Sequence, residues 1–431
     1  MSDFRFFSGY YLALFLGAVV LHVLLAVFAP DPNGYVYDFY SDAIVLAYES
    51  GKLPAADDCW VCYHPPLLSL IGVGIFHLVD SLGGARNAQL FAVASFLNGL
   101  SLVFAVYCFA IYRHYRRYAA MDLVIWALLL FLPVVFISSF SIEADLLVAT
   151  AIIAALYYFI CFLDRESWSD LILSATCVAL AALSKYSGLV VAVFLGGVLL
   201  VRWLDALDKF RFRQGVLYAL IVCMVGAYPY IKNFREHGTP VVGNRDWNTG
   251  ISYFQGYDFK SFSIASIIDV FAQPPRIKLN RYPVFNNEVW NSHYGQLWTD
   301  FSLFSVEKRH AQRPRGLVYT NKFIPSWFLW GLLVAGLVPV LGSIAGLGIL
   351  MIQREALLLI GVSALTITIY VDWFLGSNYW MLKTKYLIYL IPLCLVAIER
   401  AGRIIPPRFY RLLLLPAAVL SGIYCFFFAI F

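Results

Sequence analysis

The chain has 431 residues, of which 61% are hydrophobic and 13% are charged, and its formal net charge is +5. A composition this apolar excludes a soluble globular protein, so the chain is predicted to be an integral membrane protein. The basic residues cluster near the ends of apolar runs, which indicates membrane orientation and argues against nucleic-acid binding.

The first apolar run, near residues 9–29, follows one early arginine, Arg5. It is too long for the apolar region of a signal peptide and has no small-residue cleavage site, so it is interpreted as a retained first transmembrane helix. Further runs of spanning length lie near residues 88–112, 119–139, 144–163, 170–184, 186–204, 215–233, 323–351, 355–375, 386–399 and 412–430. The prediction is a single domain, residues 1–431, in the class of all-α polytopic membrane proteins, with about 11 transmembrane helices.

The apolar stretch "PPLLSLIGVGIFHLVDSL" is an exception. It opens with two prolines, contains His77 and Asp80, and is too short for a comfortable span. We therefore predict an interfacial helix over residues 65–80 that lies along the membrane surface.

This assignment fixes the orientation. If residues 65–80 do not span, the basic clusters at 112–118, 202–213 and 399–411 all fall on the side of the N-terminus. The positive-inside rule makes that side cytoplasmic. Two long loops, residues 30–87 and 234–322, then lie on the opposite, outer side.

The first outer loop contains "VYDFYSDAIVLAYESGKLPAADDCWVCYHPPLLSL". Asp38 and Asp42 are four residues apart and share a face if the segment is helical, and a carboxylate held there could act as a general base. One of the two could instead cap a helix. A short helix ending at Gly51, a polar turn and the interfacial helix would together form a platform beneath a pocket.

Five segments in order along the chain resemble the GT-C glycosyltransferases, especially their protein-mannosyltransferase-like and aminoarabinose-transferase-like members. The first is an aspartate about a dozen residues before a glycine, followed by His-Pro-Pro-Leu. The others are "SFSIEADLLVATAIIAALYYF", "ALSKYSGLVV", "YPYIKNFREHGTPVVGN" and "LKTKYLIYLIPLCLVA". Asp-Phe stands where the group typically has Asp-Glu, and Lys232 and Lys385 stand where arginine is commoner.

The resemblance implies an inverting enzyme that moves one sugar from a polyprenyl-phosphate carrier to a glycan, lipid or protein acceptor. It also implies a GT-C fold in a bacterial inner (plasma) membrane, with the site facing the periplasm or exterior. Such a reaction needs one carboxylate for the acceptor proton and cations for the phosphate leaving group. Asp38 is the candidate base because its spacing to Gly51 suits the motif better than that of Asp42, which is assigned to substrate binding. No cofactor is indicated.

Candidate phosphate partners are the cations at outer helix ends and in the second outer loop. Any of them could equally be a headgroup-snorkelling residue. They are Lys232, Arg235, Arg276, Lys278, Arg281, Lys383 and Lys385.

His64 either contacts the donor phosphate or only caps the interfacial helix. Cys59 and Cys62 form "CWVC", for which a local disulfide or two free thiols is favoured over a metal site, since no second Cys/His pair follows. In the second outer loop, His293 lies in "VFNNEVWNSHYGQLWTDFSLF", whose aromatic and amide residues suit sugar binding or an interfacial aromatic belt.

Glu143, Asp145 and Lys185 are assigned to the substrate site through the resemblance. A transporter or flippase would instead use them as coupling residues, and a lipid-binding scaffold is a third possibility. Asp145 begins one span and Lys185 ends the next at the same face, so we predict a salt bridge within about 4 Å. Glu143 would point about 200° around the helix from Asp145.

Overall fold

A computed structural model of the chain describes residues 9–28, 40–56, 58–59, 61–242, 277–279, 283–285, 326–376 and 388–430. Up to residue 242 the helices are α1 (Tyr10–Phe28), α2 (Tyr40–Ser50), α3 (Leu67–Ser81), α4 (Arg86–Tyr115), α5 (Asp122–Leu130), α6 (Pro133–Ser139), α7 (Ala144–Arg165), α8 (Trp168–Ser184), α9 (Tyr186–Ala206), α10 (Lys209–Gly226) and α11 (Tyr228–His237). A short antiparallel hairpin, β1 (Ile277–Leu279) and β2 (Pro283–Phe285), precedes α12 (Ser326–Gln353), α13 (Leu357–Gly376), α14 (Ile391–Ala401) and α15 (Pro407–Ile430).

Each predicted apolar run that falls within the described residues is helical, which confirms the all-α fold class. Helices are expected because the bilayer core offers no water to hydrogen-bond the backbone, so each span must satisfy its own N–H and C=O groups. Seven described helical segments are long and apolar enough to cross a membrane, or eight if the pair α10 and α11 is one span bent by 58°. The sequence predicts more transmembrane helices, about 11. The difference arises in part because the described apolar segments of α8, α13 and α14 are shorter than a membrane span.

The centre of the bundle is α7, because 78% of its most apolar window is buried, against 17% for α1. α7 packs against α4 and α8, and α8 also packs against α10. On the other side, α12 packs against α14 and α15, and α15 closes against α1 and α5. Exposed apolar side chains on α1, α9, α10, α12 and α15 form the surface suited to lipid.

A buried polar cluster attaches the peripheral helix α1. The Nδ1 atom of His22 lies 2.5 Å from Oδ1 of Asn98 on α4, and Asn98 also donates to the His22 carbonyl oxygen at 2.7 Å. Ser139 donates to the same Asn98 oxygen at 2.8 Å. These bonds join α1, α4 and α6, and unmade polar groups at this depth would be costly.

The basic clusters predicted to share one side do meet at one end of the bundle. His114 lies 3.6 Å from Asp164, and Arg202 lies 2.6 Å from Glu166. Arg400 donates to the carbonyl oxygen of Tyr115, the last residue of α4, at 2.6 Å. We call this the arginine-rich end, and the opposite end, where α7 and α9 begin, the site end.

Candidate functional site

The segment predicted to be the first outer loop, residues 30–87, contains two short helices, α2 and α3, in its described part. Helix α2 packs on α3, and the contact is so close at Gly72 that a Cβ there would lie 2.7 Å from the side chain of Ile44. The two helices are fixed to α4 by Arg86, which pairs with Glu49 at 2.8 Å and lies 5.3 Å above the ring centre of Tyr48. An ion pair and a cation–π contact from one guanidinium thus hold the platform in place.

Asp42 lies in the first turn of α2, where a carboxylate interacts favourably with the helix dipole. Its side chain is exposed, and partial desolvation raises the pKa of the Asp42 carboxyl. Asp38, the candidate base, lies outside the described residues.

His64 is part of an aromatic stack beside the platform. Its ring lies 5.3 Å from the Tyr40 ring at an interplanar angle of 15°, and 4.0 Å from the Tyr63 ring. The backbone N–H of His64 donates to the carbonyl oxygen of Val61 at 3.0 Å. The ring is therefore held in a turn ahead of α3, which begins three residues later at Leu67.

Tyr186, which follows Lys185, joins the first outer loop to the end of α11. Its hydroxyl lies 2.8 Å from the carbonyl oxygen of Tyr63 and 3.0 Å from that of Val242. The side-chain amide of Asn233, on α11, donates to the same hydroxyl at 3.3 Å and to the Pro240 carbonyl oxygen at 3.3 Å. Three segments far apart in sequence thus converge on one phenol oxygen.

A pocket lies between the first outer loop and α11. Its wall on the loop side includes Tyr40, Tyr63 and His64, and its wall on α11 includes Lys232 and Asn233. Lys232 is half-buried and lies 4.0 Å from Glu236, one helical turn further along α11. The pocket therefore presents an imidazole, an ammonium, an amide, aromatic rings and the Glu236 carboxylate to one volume, a mixture of hydrogen-bond donors and acceptors that suits a hydroxyl-rich ligand.

The predicted ion pair is confirmed. Lys185 Nζ lies 2.5 Å from Asp145 Oδ1, and the two side chains are 18% and 5% exposed. Glu143 is the residue preceding α7 and is buried. The pairing arises because α7 begins and α8 ends at the same height. Gly188 also permits a tight joint between α8 and α9, since a Cβ there would lie 2.1 Å from the Ala181 carbonyl carbon.

Cys59 and Cys62 form a disulfide, and Cys62 lines the pocket. This selects the disulfide from the two alternatives that the sequence left open. Among the residues that the structure describes, no group of three or more His, Cys, Asp and Glu side chains could hold a metal ion.

The structure brings the predicted site residues together in two pairs, because His64 and Lys232 line the pocket and Asp145 and Lys185 form the ion pair. Asp42 on α2 and Glu143 before α7 are described, but neither lines that pocket. Lys278 is placed by its backbone on β1, and Arg235 is exposed in the last turn of α11. The remaining predicted residues lie outside the described part of the chain, and they are Asp38, Arg276, Arg281, His293, Lys383 and Lys385. Sequence reasoning missed Tyr186 and Asn233, although both lie next to residues that it selected, in "SKYSG" and "YIKN".

Known structures show what kind of fold this is. The Archaeoglobus fulgidus oligosaccharyltransferase in complex with Zn and sulfate is similar, with a TM-score of 0.50 at 13% identity over 97% of this chain and 53% of that one. The archaeal oligosaccharyltransferase AglB from Archaeoglobus fulgidus, in complex with an inhibitory peptide and a dolichol-phosphate, gives 0.51 at 11% identity over 97% and 56%. ArnT from Cupriavidus metallidurans in the apo state gives 0.42 at 13% identity over 91% and 78%.

The fold is therefore that of the GT-C membrane glycosyltransferases, as the sequence resemblance predicts. More narrowly, residues 63–228 match the model of the dolichyl-phosphate-mannose-protein mannosyltransferase family. That range includes His64, Asp145 and Lys185. The chain spans about half the length of the similar oligosaccharyltransferases, and no curated protein sequence matches it significantly.

Proposed function

We propose that the protein is an inverting glycosyltransferase that transfers a sugar from a polyprenyl-phosphate carrier to an acceptor hydroxyl at the outer face of the membrane. The observation that carries this proposal is the pocket at the site end, where His64 and Lys232 face one volume in a chain with a GT-C fold. The family match over residues 63–228 supports mannose as the first sugar to test.

A lipid-linked donor cannot leave the bilayer, so its enzyme needs a polar pocket at headgroup depth. The 58° bend between α10 and α11 supports this position for the pocket, because α11 turns away from the axis of the preceding helix. Lys232 is then available as a cation for the donor phosphate, and His64 as a second donor. The aromatic rings of Tyr40 and Tyr63 suit the apolar face of a sugar.

The proposed reaction is a single displacement at the anomeric carbon. The acceptor oxygen attacks this carbon, its proton passes to the carboxylate of Asp38, and the bond from carbon to the phosphate oxygen breaks. The leaving group is polyprenyl phosphate, and its developing negative charge is stabilised by Lys232 and His64. Substrate binding is also assigned to Asp42, Glu143, Asp145 and Lys185, and to Arg276, Lys278, Arg281, His293, Lys383 and Lys385.

The orientation is part of the proposal. The arginine-rich end faces the cytoplasm, as the positive-inside rule predicts, and the site end faces the periplasm or exterior. A membrane-impermeant thiol reagent should therefore fail to label Arg116→Cys from outside intact cells. Labelling from outside would reverse the orientation.

The activity is tested with purified protein in lipid nanodiscs and a polyprenyl-phosphate mannose labelled in the sugar, measuring the release of polyprenyl phosphate with and without acceptor. Asp38→Asn should reduce turnover about a hundredfold or more and retain donor binding, because a general base contributes at least this much. Asp42→Asn is the matched control and should lose less. In sealed proteoliposomes, donor movement across the bilayer without bond cleavage, unchanged by Asp38→Asn, would instead support a transporter or flippase.

A further inference from the structure

The arginine-rich end contains a second pocket, remote from the site end. It lies between the segment that follows α4 and the segment that begins α15, and its walls include Arg117, Tyr118, Pro407, Arg408 and Phe409. Neither the proposed reaction nor the sequence resemblance assigns a role to these residues.

Acidic side chains near this pocket are already paired. Asp122 pairs with Arg116, and Glu355 pairs with both Arg117 and Arg400. Glu399, which is fully buried, pairs with Arg400 and also accepts from the backbone N–H of Arg117 at 2.6 Å. These carboxylates therefore already bind arginines or backbone N–H groups. Their contacts hold the end of α4 against the loop between α12 and α13 and against α14.

Three further arginines add positive charge at this end. Arg403, Arg408 and Arg411 are exposed, and within the described part of the chain none of them has an ion-pair partner. Arg117 is 45% exposed even with its contact to Glu355. Among the described residues, the pocket is thus left with the unpaired positive charge of Arg408, and beside it Arg117 is positioned by Glu355 through its side chain and by the buried Glu399 through its backbone N–H.

The same pocket borders exposed apolar surface. Phe409 is 67% exposed and Ile404 is 65% exposed, and both lie within five residues of Arg408. Because α4 ends at Tyr115 and α15 begins at Pro407, this surface lies where two helices reach the end of the bundle. Guanidinium groups beside exposed apolar side chains at that depth match the two chemical parts of a phospholipid, a phosphate and an acyl chain.

We propose that this pocket binds an anionic phospholipid. The guanidinium groups of Arg117 and Arg408 donate hydrogen bonds to the headgroup phosphate, and Phe409 contacts the upper part of an acyl chain. Arg117 is held by Glu355, so it loses less conformational entropy on binding than a free surface arginine would. A general basic surface would attract anionic lipid diffusely, whereas this pocket provides one defined site.

Native mass spectrometry of the purified protein tests the proposal by counting bound lipids and measuring their affinities. The probes are phosphatidylglycerol and phosphatidylcholine with identical acyl chains, and inorganic phosphate alone. We expect one tightly bound phosphatidylglycerol, whose affinity falls about fivefold in Arg408→Ala, the effect of one cationic residue at a membrane surface. The control Arg213→Ala removes an exposed arginine from α10 at the same end, outside the pocket, and should leave that affinity unchanged.

Three results would overturn the proposal. Equal losses in Arg408→Ala and Arg213→Ala would mean diffuse charge attraction. Equal binding of phosphatidylcholine would remove the role of the arginines, and thermal stabilisation by inorganic phosphate as large as that by phosphatidylglycerol would identify a site for a free anion. Phe409→Ser provides a second variant, which should weaken phosphatidylglycerol binding and leave phosphate binding unaltered.

Discussion

Lys185 and Asp145 form an ion pair of 2.5 Å between two helix ends, with Lys185 in the joint of α8 and α9 and Asp145 in the first turn of α7. Because the Asp145 side chain is 5% exposed, its negative charge is largely removed from water. Such a charge is tolerated only when a partner of opposite sign lies beside it. The pair therefore fixes the relative height of α7 and α8 at the site end.

Removing one member of this pair should be more harmful than removing both. Lys185→Met removes the cation beside a buried carboxylate and is expected to lower the free energy of unfolding by about 3 kcal/mol. Asp145→Leu combined with Lys185→Met should recover most of that loss. Thermal unfolding of the single and double variants in one detergent measures the coupling, and additive losses would show that the two charges act independently.

Tyr186→Phe should separate the first outer loop from the end of α11. The variant removes the hydroxyl that contacts Tyr63, Asn233 and Val242, and we expect a loss of about 1–3 kcal/mol together with a reduced rate of sugar transfer. Tyr218→Phe is the matched control, because its hydroxyl donates to the Ala192 carbonyl oxygen at 3.0 Å within the bundle. The control should lose stability without losing turnover. If Tyr186→Phe and Tyr218→Phe had the same turnover number, that result would contradict a positioning role for Tyr186.

Gly188→Ala should prevent the joint between α8 and α9 from closing. The added methyl group would lie 2.1 Å from the backbone of Ala181, and backbone atoms cannot move aside as a flexible side chain does. Gly197→Ala, on the same helix, meets no atom within 4 Å and should be neutral or slightly stabilising. The yield of monodisperse protein in size-exclusion chromatography compares the two, and comparable yields would refute the tight joint.

The disulfide between Cys59 and Cys62 should protect these two thiols from alkylation until a reductant is added. Peptide mass spectrometry after alkylation, with and without a dithiol reductant, measures this directly. The crosslink closes a very short loop, so its loss through Cys59→Ser with Cys62→Ser should cost only about 2 kcal/mol, and the bundle should remain folded. Complete unfolding of the double variant would show that the loop does more than order the pocket wall.

Local sequence patterns predict where most of the apolar helices lie, although the run near 119–139 is divided into α5 and α6. Apolar runs of spanning length become helices because lipid leaves the backbone no other hydrogen-bond partner, and this holds for α1, α4, α7 and α9 irrespective of their neighbours. The bend after Gly226 was not predicted from the apolar run near 215–233, because hydropathy does not report the direction of a helix axis.

The pairing of Asp145 with Lys185 was also predictable from the sequence. Two consecutive antiparallel helices of similar length place the end of the second at the height where the first begins, so Lys185 after α8 comes level with Asp145 at the start of α7. The same argument grouped the basic clusters at one end. Both results depend only on distance along the chain and on the thickness of the bilayer.

Contacts between distant segments could not be predicted from local patterns. Tyr186 meets Tyr63 across 123 residues, and the backbone N–H of Arg117 meets Glu399 across 282 residues. Such contacts depend on the rotation of each helix about its axis and on which helices are neighbours, and these are set by packing over the whole bundle. Local patterns predict apolar helices with charges at their ends, because each helix meets that requirement within its own segment. Which of those ends form a site was decided by the packing, because no single segment contains the information.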